Sequence, residues 1–185
     1  MVADTSTPEN GGVAVDPGWQ STSRLSLRQP TPADAPAVLR ILSNRSVVEH
    51  NPSDLVMELS EIEVLLGRWL RHWSEHGFGN CCVFEKATGR LIGNCGVRWM
   101  DVQTAPVLNL MYRFDPSRWG RGYATEASRA VLDWTLENLP GQVVLARVQP
   151  GNLASQAVAR KIGLRRDPLF DDEGEDGLDW AFTNR

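Results

Sequence analysis

From Arg24 the chain alternates polar and apolar positions, Arg24-Leu25-Ser26-Leu27-Arg28, a period of two that predicts a short strand. Pro30-Thr31-Pro32 stops it. Asp34 then stands at the N-cap position ahead of Val38, Leu39, Ile41 and Leu42, which recur at helical spacing. Asn51-Pro52-Ser53 breaks the chain again. A second helix is predicted from Ser60 through Ile62, Leu65, Leu66, Trp69, Leu70 and Trp73, with Ser60 and Glu63 spaced as a capping box and Gly77 and Gly79 ending it. Two strands follow, Cys81 to Glu85 and Leu91 to Trp99, and Lys86-Ala87-Thr88-Gly89-Arg90 joins them as a hairpin turn.

A further strand, about Pro106 to Phe114, carries Leu108, Leu110, Tyr112 and Phe114 on one face and closes at Asp115-Pro116. A helix from about Gly122 to Leu136 presents Ala127, Val131 and Trp134 along one side, and Pro140-Gly141 breaks it. The apolar run Val143 to Val148, interrupted only at Arg147, reads as a strand covered on both faces. Pro150-Gly151 leads into a helix capped by Asn152 and ended by Gly163. A last hairpin pairs Leu164 to Asp167 with Leu178 to Phe182 around an acidic loop. The sum is an α/β (α+β) domain, a mixed central sheet of about six or seven strands flanked by about four helices.

Residues 1 to 23 show almost no apolar period and are rich in Thr, Ser, Pro and Gly, so they read as a flexible tail before a domain at 24–185. The 185 residues suit one domain, and 42% apolar with 23% charged residues excludes a disordered chain. No stretch reaches the ~20 apolar residues of a membrane span. The N-terminus lacks a secretory pattern, which implies cytoplasmic residence. The three cysteines, Cys81, Cys82 and Cys95, fit neither a disulfide framework nor a four-ligand zinc site and read as small buried hydrophobes. A formal charge of −4 argues against nucleic acid as a partner. The charge is uneven, however: between Arg113 and Arg129 four arginines face only Asp115 and Glu126.

That basic stretch holds the informative segment, Phe114-Asp115-Pro116-Ser117-Arg118-Trp119-Gly120-Arg121-Gly122-Tyr123-Ala124-Thr125-Glu126-Ala127. A strand, a glycine turn and a helix start in immediate succession point free N–H groups and the positive helix end at one spot, where phosphate oxygens can bind. Gly120 and Gly122 let the backbone approach a pyrophosphate, and Arg118 and Arg121 can add charge-assisted bonds. The plainer reading is a tight strand-to-helix turn. Neither the Lys-Ser/Thr end of a P-loop nor the G-x-G-x-x-G spacing of a dinucleotide fold is present.

The run Arg118 to Ala127 resembles the acetyl-CoA pyrophosphate loop of the GNAT superfamily, closest to the ribosomal-protein N-terminal (RimJ/RimL-like) acetyltransferases. Asn152-Leu153-Ala154-Ser155 with Arg160-Lys161-Ile162-Gly163-Leu164 is similar to that branch's second signature. Thr88-Gly89-Arg90-Leu91-Ile92-Gly93 with Gly96 resembles its central hairpin. The likeness covers about Arg24 to Phe182. It implies the GNAT-type acyl-CoA N-acyltransferase fold, with acetyl-CoA in a cleft between two parting parallel strands. Backbone groups of Tyr112, Arg113 and Phe114 would pair with the pantetheine. The turn Trp119, Gly120, Arg121, Gly122, Tyr123, Ala124 and Thr125 would hold the pyrophosphate. Two positions depart from the family: Trp119 stands where Gln or Arg is common, and Met111 replaces a glycine before the tyrosine of the strand.

The resemblance also implies Ser155 as the general acid that protonates the departing thiolate, and Asn152 as an anchor of the pantetheine arm. The alternative is plain capping, Asn152 at the N-cap and Ser155 at N3. For a general base Glu49 is the first candidate; His50, Asn109 and Asp101, or a water relay, stand beside it. His72 and His76 are spaced as zinc ligands, yet the Glu of H-E-x-x-H is missing and no metal is implied. The loop Asp171-Asp172-Glu173-Gly174-Glu175-Asp176 is either a field that draws in a cationic amine or a hydrated hairpin tip. The expected reaction is transfer of acetyl from acetyl-CoA to a primary amine, either a protein N-terminus or a small amine or antibiotic. A non-catalytic acyl-CoA-binding module and a phosphate-binding domain unrelated to CoA are the rival readings. Monomer and homodimer are both open.

Overall fold

The computed structural model describes residues 19–102 and 105–185. Helices α1 (Ala35–Leu42), α2 (Leu59–His76), α3 (Tyr123–Asn138) and α4 (Leu153–Lys161) surround one sheet. Its strands are β1 (Gln20–Ser21), β2 (Leu25–Arg28), β3 (Asn80–Glu85), β4 (Arg90–Val102), β5 (Ala105–Phe114), β6 (Val144–Val148), β7 (Arg165–Arg166), β8 (Asp172–Gly174) and β9 (Gly177–Thr183). The sheet order is β1-β2-β3-β4-β5-β6-β9-β7, with β8 on β9. All neighbours are antiparallel except β5 and β6.

Among the described residues nine strands exceed the six or seven that the sequence pattern suggests. The additions β1 and β8 are two and three residues long, too short to show a period, whereas β7 falls within the strand expected at Leu164 to Asp167. Order also reaches further back than Arg24: β1 pairs with β2, and Trp19 packs edge-on against Trp73 and Trp134. Residues 1–18 of the expected tail lie outside the described residues.

The α2 cap differs from expectation by two residues. Glu58 is the N-cap, and the Glu61 carboxylate accepts the N–H groups of Met57 and Glu58, so Ser60 and Glu63 are ordinary helical positions. Glutamate can fill this role because the orphan donors need only an acceptor oxygen within reach. Asp34 does not cap α1 through its side chain either. Its carboxylate receives both Arg28 Nη1 and Nη2 at 2.8 Å and the Thr31 backbone N–H at 2.7 Å, tying β2 to the start of α1. Gly77 ends α2 in the left-handed conformation (φ 76°).

Strand parity divides the core. Leu108, Leu110 and Phe114 of β5, Val144, Ala146 and Val148 of β6 and Phe182 of β9 pack with Ala127, Val131 and Ala159 on the α3–α4 side. The opposite side is covered at one end by α1 and α2, whose Ile41, Leu42, Ile62 and Leu66 meet Cys82 and Leu91. The three thiols are buried. Desolvation pushes Cys81 well above its ordinary range and Cys82 and Cys95 up to about 12. Among the described residues no helix is long and apolar enough to cross a membrane.

Candidate active site

Strands β5 and β6 pair only at Leu108 with Val144 and at Asn109 with Leu145, reinforced by Leu108 N–H to the Val143 carbonyl at 2.8 Å. Beyond that point they part, β5 running to Phe114 and β6 to Val148. The β5 edge from Leu110 to Phe114 therefore faces a gap, and an extended ligand can use its backbone groups as an added strand would. A cleft of about 1260 Å³ opens here, lined on the β5 side by Tyr112, Arg113 and Phe114.

At the end of β5 the chain makes the glycine turn. Asp115 accepts Ser117 N–H at 2.9 Å, and Trp119 Nε1 donates to the Phe114 carbonyl at 2.8 Å, which folds the indole back onto the strand end. Gly120 and Gly122 have φ 74° and 78°, a conformation that side chains with Cβ rarely adopt. The first bond of α3 runs from Glu126 N–H to the Gly122 carbonyl, which leaves the N–H groups of Tyr123, Ala124 and Thr125 without helical acceptors. Among the described residues a Cβ on Gly120 would meet nothing within 4 Å, so they leave the turn open on that side. These are the features an anionic pyrophosphate needs, and the residues present fit one.

Two braces around this turn escaped the sequence reading. Arg24 donates to the Arg121 carbonyl at 3.0 Å, stacks 4.6 Å from the Tyr123 ring centroid and holds Glu126 through its Nε at 2.6 Å. On the other flank the Glu85 carboxylate receives the hydroxyls of Tyr123 at 2.6 Å and Thr88 at 2.7 Å, and Arg118 Nη1 at 3.2 Å. The Tyr123 and Thr88 hydroxyls hold Glu85 below the usual glutamate value. Arg118 is therefore committed to a neighbour rather than free to meet phosphate. The contacts span β2, the β3–β4 hairpin and α3, and no local pattern signals them.

Across the gap, Asn152 caps α4 by accepting Ser155 N–H at 2.9 Å. The Tyr112 hydroxyl donates to the Ser155 carbonyl at 2.9 Å and lies 2.8 Å from Ser155 Oγ. With its one proton on the carbonyl, Tyr112 accepts from the serine, so the two hydroxyls form a short chain directed by the backbone. Burial pushes the Tyr112 phenol up to about 12, which keeps it protonated.

On the other face of the sheet, Arg113 forms an ion pair with Asp54 at 2.5 Å. Glu49, His50 and Asn109 line the same cleft, with Glu49 exposed, whereas Asp101 pairs with Pro106 toward the far end of the β4–β5 ladder and does not line it. His72 is engaged with backbone: Nδ1 lies 2.8 Å from the Phe78 carbonyl, and Nε2 accepts Trp99 N–H at 3.1 Å. The acidic loop is not a loose hydrated tip. Asp171 and Asp172 are ion-paired with Arg166 and Arg147, and Asp176 accepts Ser53 N–H at 3.0 Å and the Gln149 amide at 2.7 Å through its carbonyl.

Compared with known proteins, residues 24–165 match the family described as Acetyltransferase (GNAT) domain. The chain belongs to the GNAT acetyltransferase family. It is 39% identical over 105 residues to the uncharacterized protein YkkB of Bacillus subtilis, a match that covers 52% of this chain and 61% of YkkB. The chain thus spans about three-fifths of that relative. An acetyltransferase structure from Agrobacterium tumefaciens superposes with a TM-score of 0.74 at 28% identity, covering 89% of this chain and 92% of that one. RimL, the ribosomal L7/L12 α-N-protein acetyltransferase solved with coenzyme A, shares the fold at a TM-score of 0.71 and 13% identity over 88% of this chain and 94% of its own.

Proposed function

We propose that this GNAT protein transfers the acetyl group of acetyl-CoA to a primary amine. The observation that carries the reading is the parting of β5 and β6 beside the glycine turn, which sets an open backbone edge next to an anion site. In this reading Tyr112, Arg113 and Phe114 receive the pantetheine, and the turn from Trp119 to Thr125 receives the pyrophosphate. Ser155 and Asn152 flank the thioester end of the gap. The amine attacks the thioester carbonyl, the N–C bond forms and the C–S bond breaks. Ser155 swings its hydroxyl proton from Tyr112 to the departing sulfur and regains a proton from water once the thiol has left, while the Tyr112 hydroxyl keeps the serine within reach. Glu49, exposed in the cleft, serves the incoming amine at the mouth. A protein N-terminal α-amine and a small amine both fit this chemistry.

Acetyl-CoA binding to the native state alone must raise the melting temperature. At a hundredfold excess over Kd the gain is about 2.7 kcal/mol, which for a domain of this size is roughly 5–10 °C. A flat melting temperature at millimolar acetyl-CoA removes the reading. Thermal shift with CoA, ATP and NAD side by side separates a CoA site from a general phosphate site. Turnover over peptides, polyamines, amino acids and aminoglycosides distinguishes an enzyme from a binding module and names the acceptor class.

A further inference from the structure

A buried carboxylate on the side of the sheet away from α3 and α4 is left half-used by the fold. Asp179 of β9 has a side chain only 9% exposed, and its Oδ2 meets Arg147 Nη2 of β6 at 2.7 Å. Among the described residues its Oδ1 has no hydrogen-bond partner, nor has Arg147 Nε. An unpaired buried oxygen of this kind costs free energy unless something occupies it during function. Asp179 also lines the cleft in which β5 and β6 part. Strand parity puts Asp179 and Arg147 on the face opposite Phe182 and Val148, whereas Tyr112 and Ser155 meet on the α4 side. A thioester in the gap would therefore have a hydroxyl pair on one side and this carboxylate on the other.

We propose that Asp179 is the catalytic base of acetyl transfer: Oδ1 takes the proton that the acceptor amine sheds as its N–C bond forms and the C–S bond breaks. The inference rests on the acetyltransferase reading above and adds to it a group that Glu49, exposed in the cleft, does not match in burial. Arg147 fixes the carboxylate through Oδ2 and leaves Oδ1 for the amine. The turn of the β8–β9 hairpin covers the pair. A Cβ on Gly174 would lie 2.7 Å from Arg147 Nη2 and 3.3 Å from Asp179 Oδ2, so the end of β8 packs directly against the pair. The turn is tethered across the cleft by the Asp176 contacts with Ser53 and Gln149, and its displacement admits the amine. The charged groups facing Asp179 are Arg147 from β6, Asp172 from β8 and Asp176 from the turn. Burial raises its pKa above the ordinary aspartate value, Arg147 opposes the rise, and Asp172 and Asp176 add to it.

The test is the pH profile of kcat/KM for the intact protein with acetyl-CoA and its best amine. Activity should fall as pH drops through the Asp179 titration, because only the carboxylate accepts a proton. Asp179→Asn should lower kcat ~100-fold or more and abolish that limb, with the acetyl-CoA melting shift retained. Arg147→Gln should move the limb up by about one pH unit, and Asp172→Asn should move it down. A folded Asp179→Asn protein within threefold of normal kcat overturns the assignment. If that variant does not fold, a limb that stays in place in both neighbouring variants overturns it equally. Absence of turnover in the unaltered protein with every amine instead removes the acetyltransferase reading itself.

Discussion

Gly122→Val should abolish acetyl-CoA binding, with Kd raised at least ~100-fold (about 2.7 kcal/mol), in a protein that still folds. Gly122 sits at φ 78° immediately before α3, where the free N–H groups of Tyr123, Ala124 and Thr125 converge. A branched side chain strains that backbone and fills the space an anion must enter. The strain alone costs of order 1–3 kcal/mol. Among the described residues the one heavy atom within 4 Å of the new Cβ is Arg24 Nη2 at 3.6 Å, an ordinary contact, so no packed core is disturbed. A melting temperature lowered by less than about 10 °C, with the acetyl-CoA shift gone, is the expected pair of results. Calorimetric titration of the folded variant checks it, and unchanged CoA affinity would show the turn to be purely architectural.

Ser155→Ala should lower kcat ~100-fold or more if the hydroxyl protonates the thiolate. CoA affinity should change little, because the glycine turn belongs to the start of α3 and the serine to α4. The Ser155 N–H still reaches the Asn152 side chain in this variant, so the cap is kept and only the bond between the Ser155 and Tyr112 hydroxyls is lost, about 1 kcal/mol or less. Asn152→Ala, by contrast, removes the cap and should cost about 1 kcal/mol. Rates and melting temperatures of both variants separate chemistry from capping. A stable Ser155→Ala protein with normal turnover would leave a water relay as the proton source.

The long elements were legible because their periods are long: α2, the β3–β4 hairpin and β5 lie within a few residues of their expected bounds. The glycine turn was legible because positive φ restricts the residue type. What sequence reading missed depends on contacts distant along the chain. Arg24 meets Glu126, Glu85 meets Tyr123, and Asp179 meets Arg147, and each pair joins separate elements with no spacing rule. The Glu58–Glu61 cap was missed because serine is the stronger N-cap former, and propensity yielded to where the chain actually turns. The acidic loop looked solvated because six consecutive polar or small residues resemble a free tip. Its arginine partners come from β6 and β7, which the loop's own sequence does not reveal.

The sealed thiols bear on how turnover is followed. A thiolate is the form that attacks disulfide reagents, and Cys81, Cys82 and Cys95 are held as neutral thiols inside the sheet. A chromogenic disulfide added to the native protein should therefore register only the free CoA that each transfer releases. It should gain extra signal from the polypeptide only when the sheet opens, so one reagent can count catalytic cycles in the cold and unfolding events on heating.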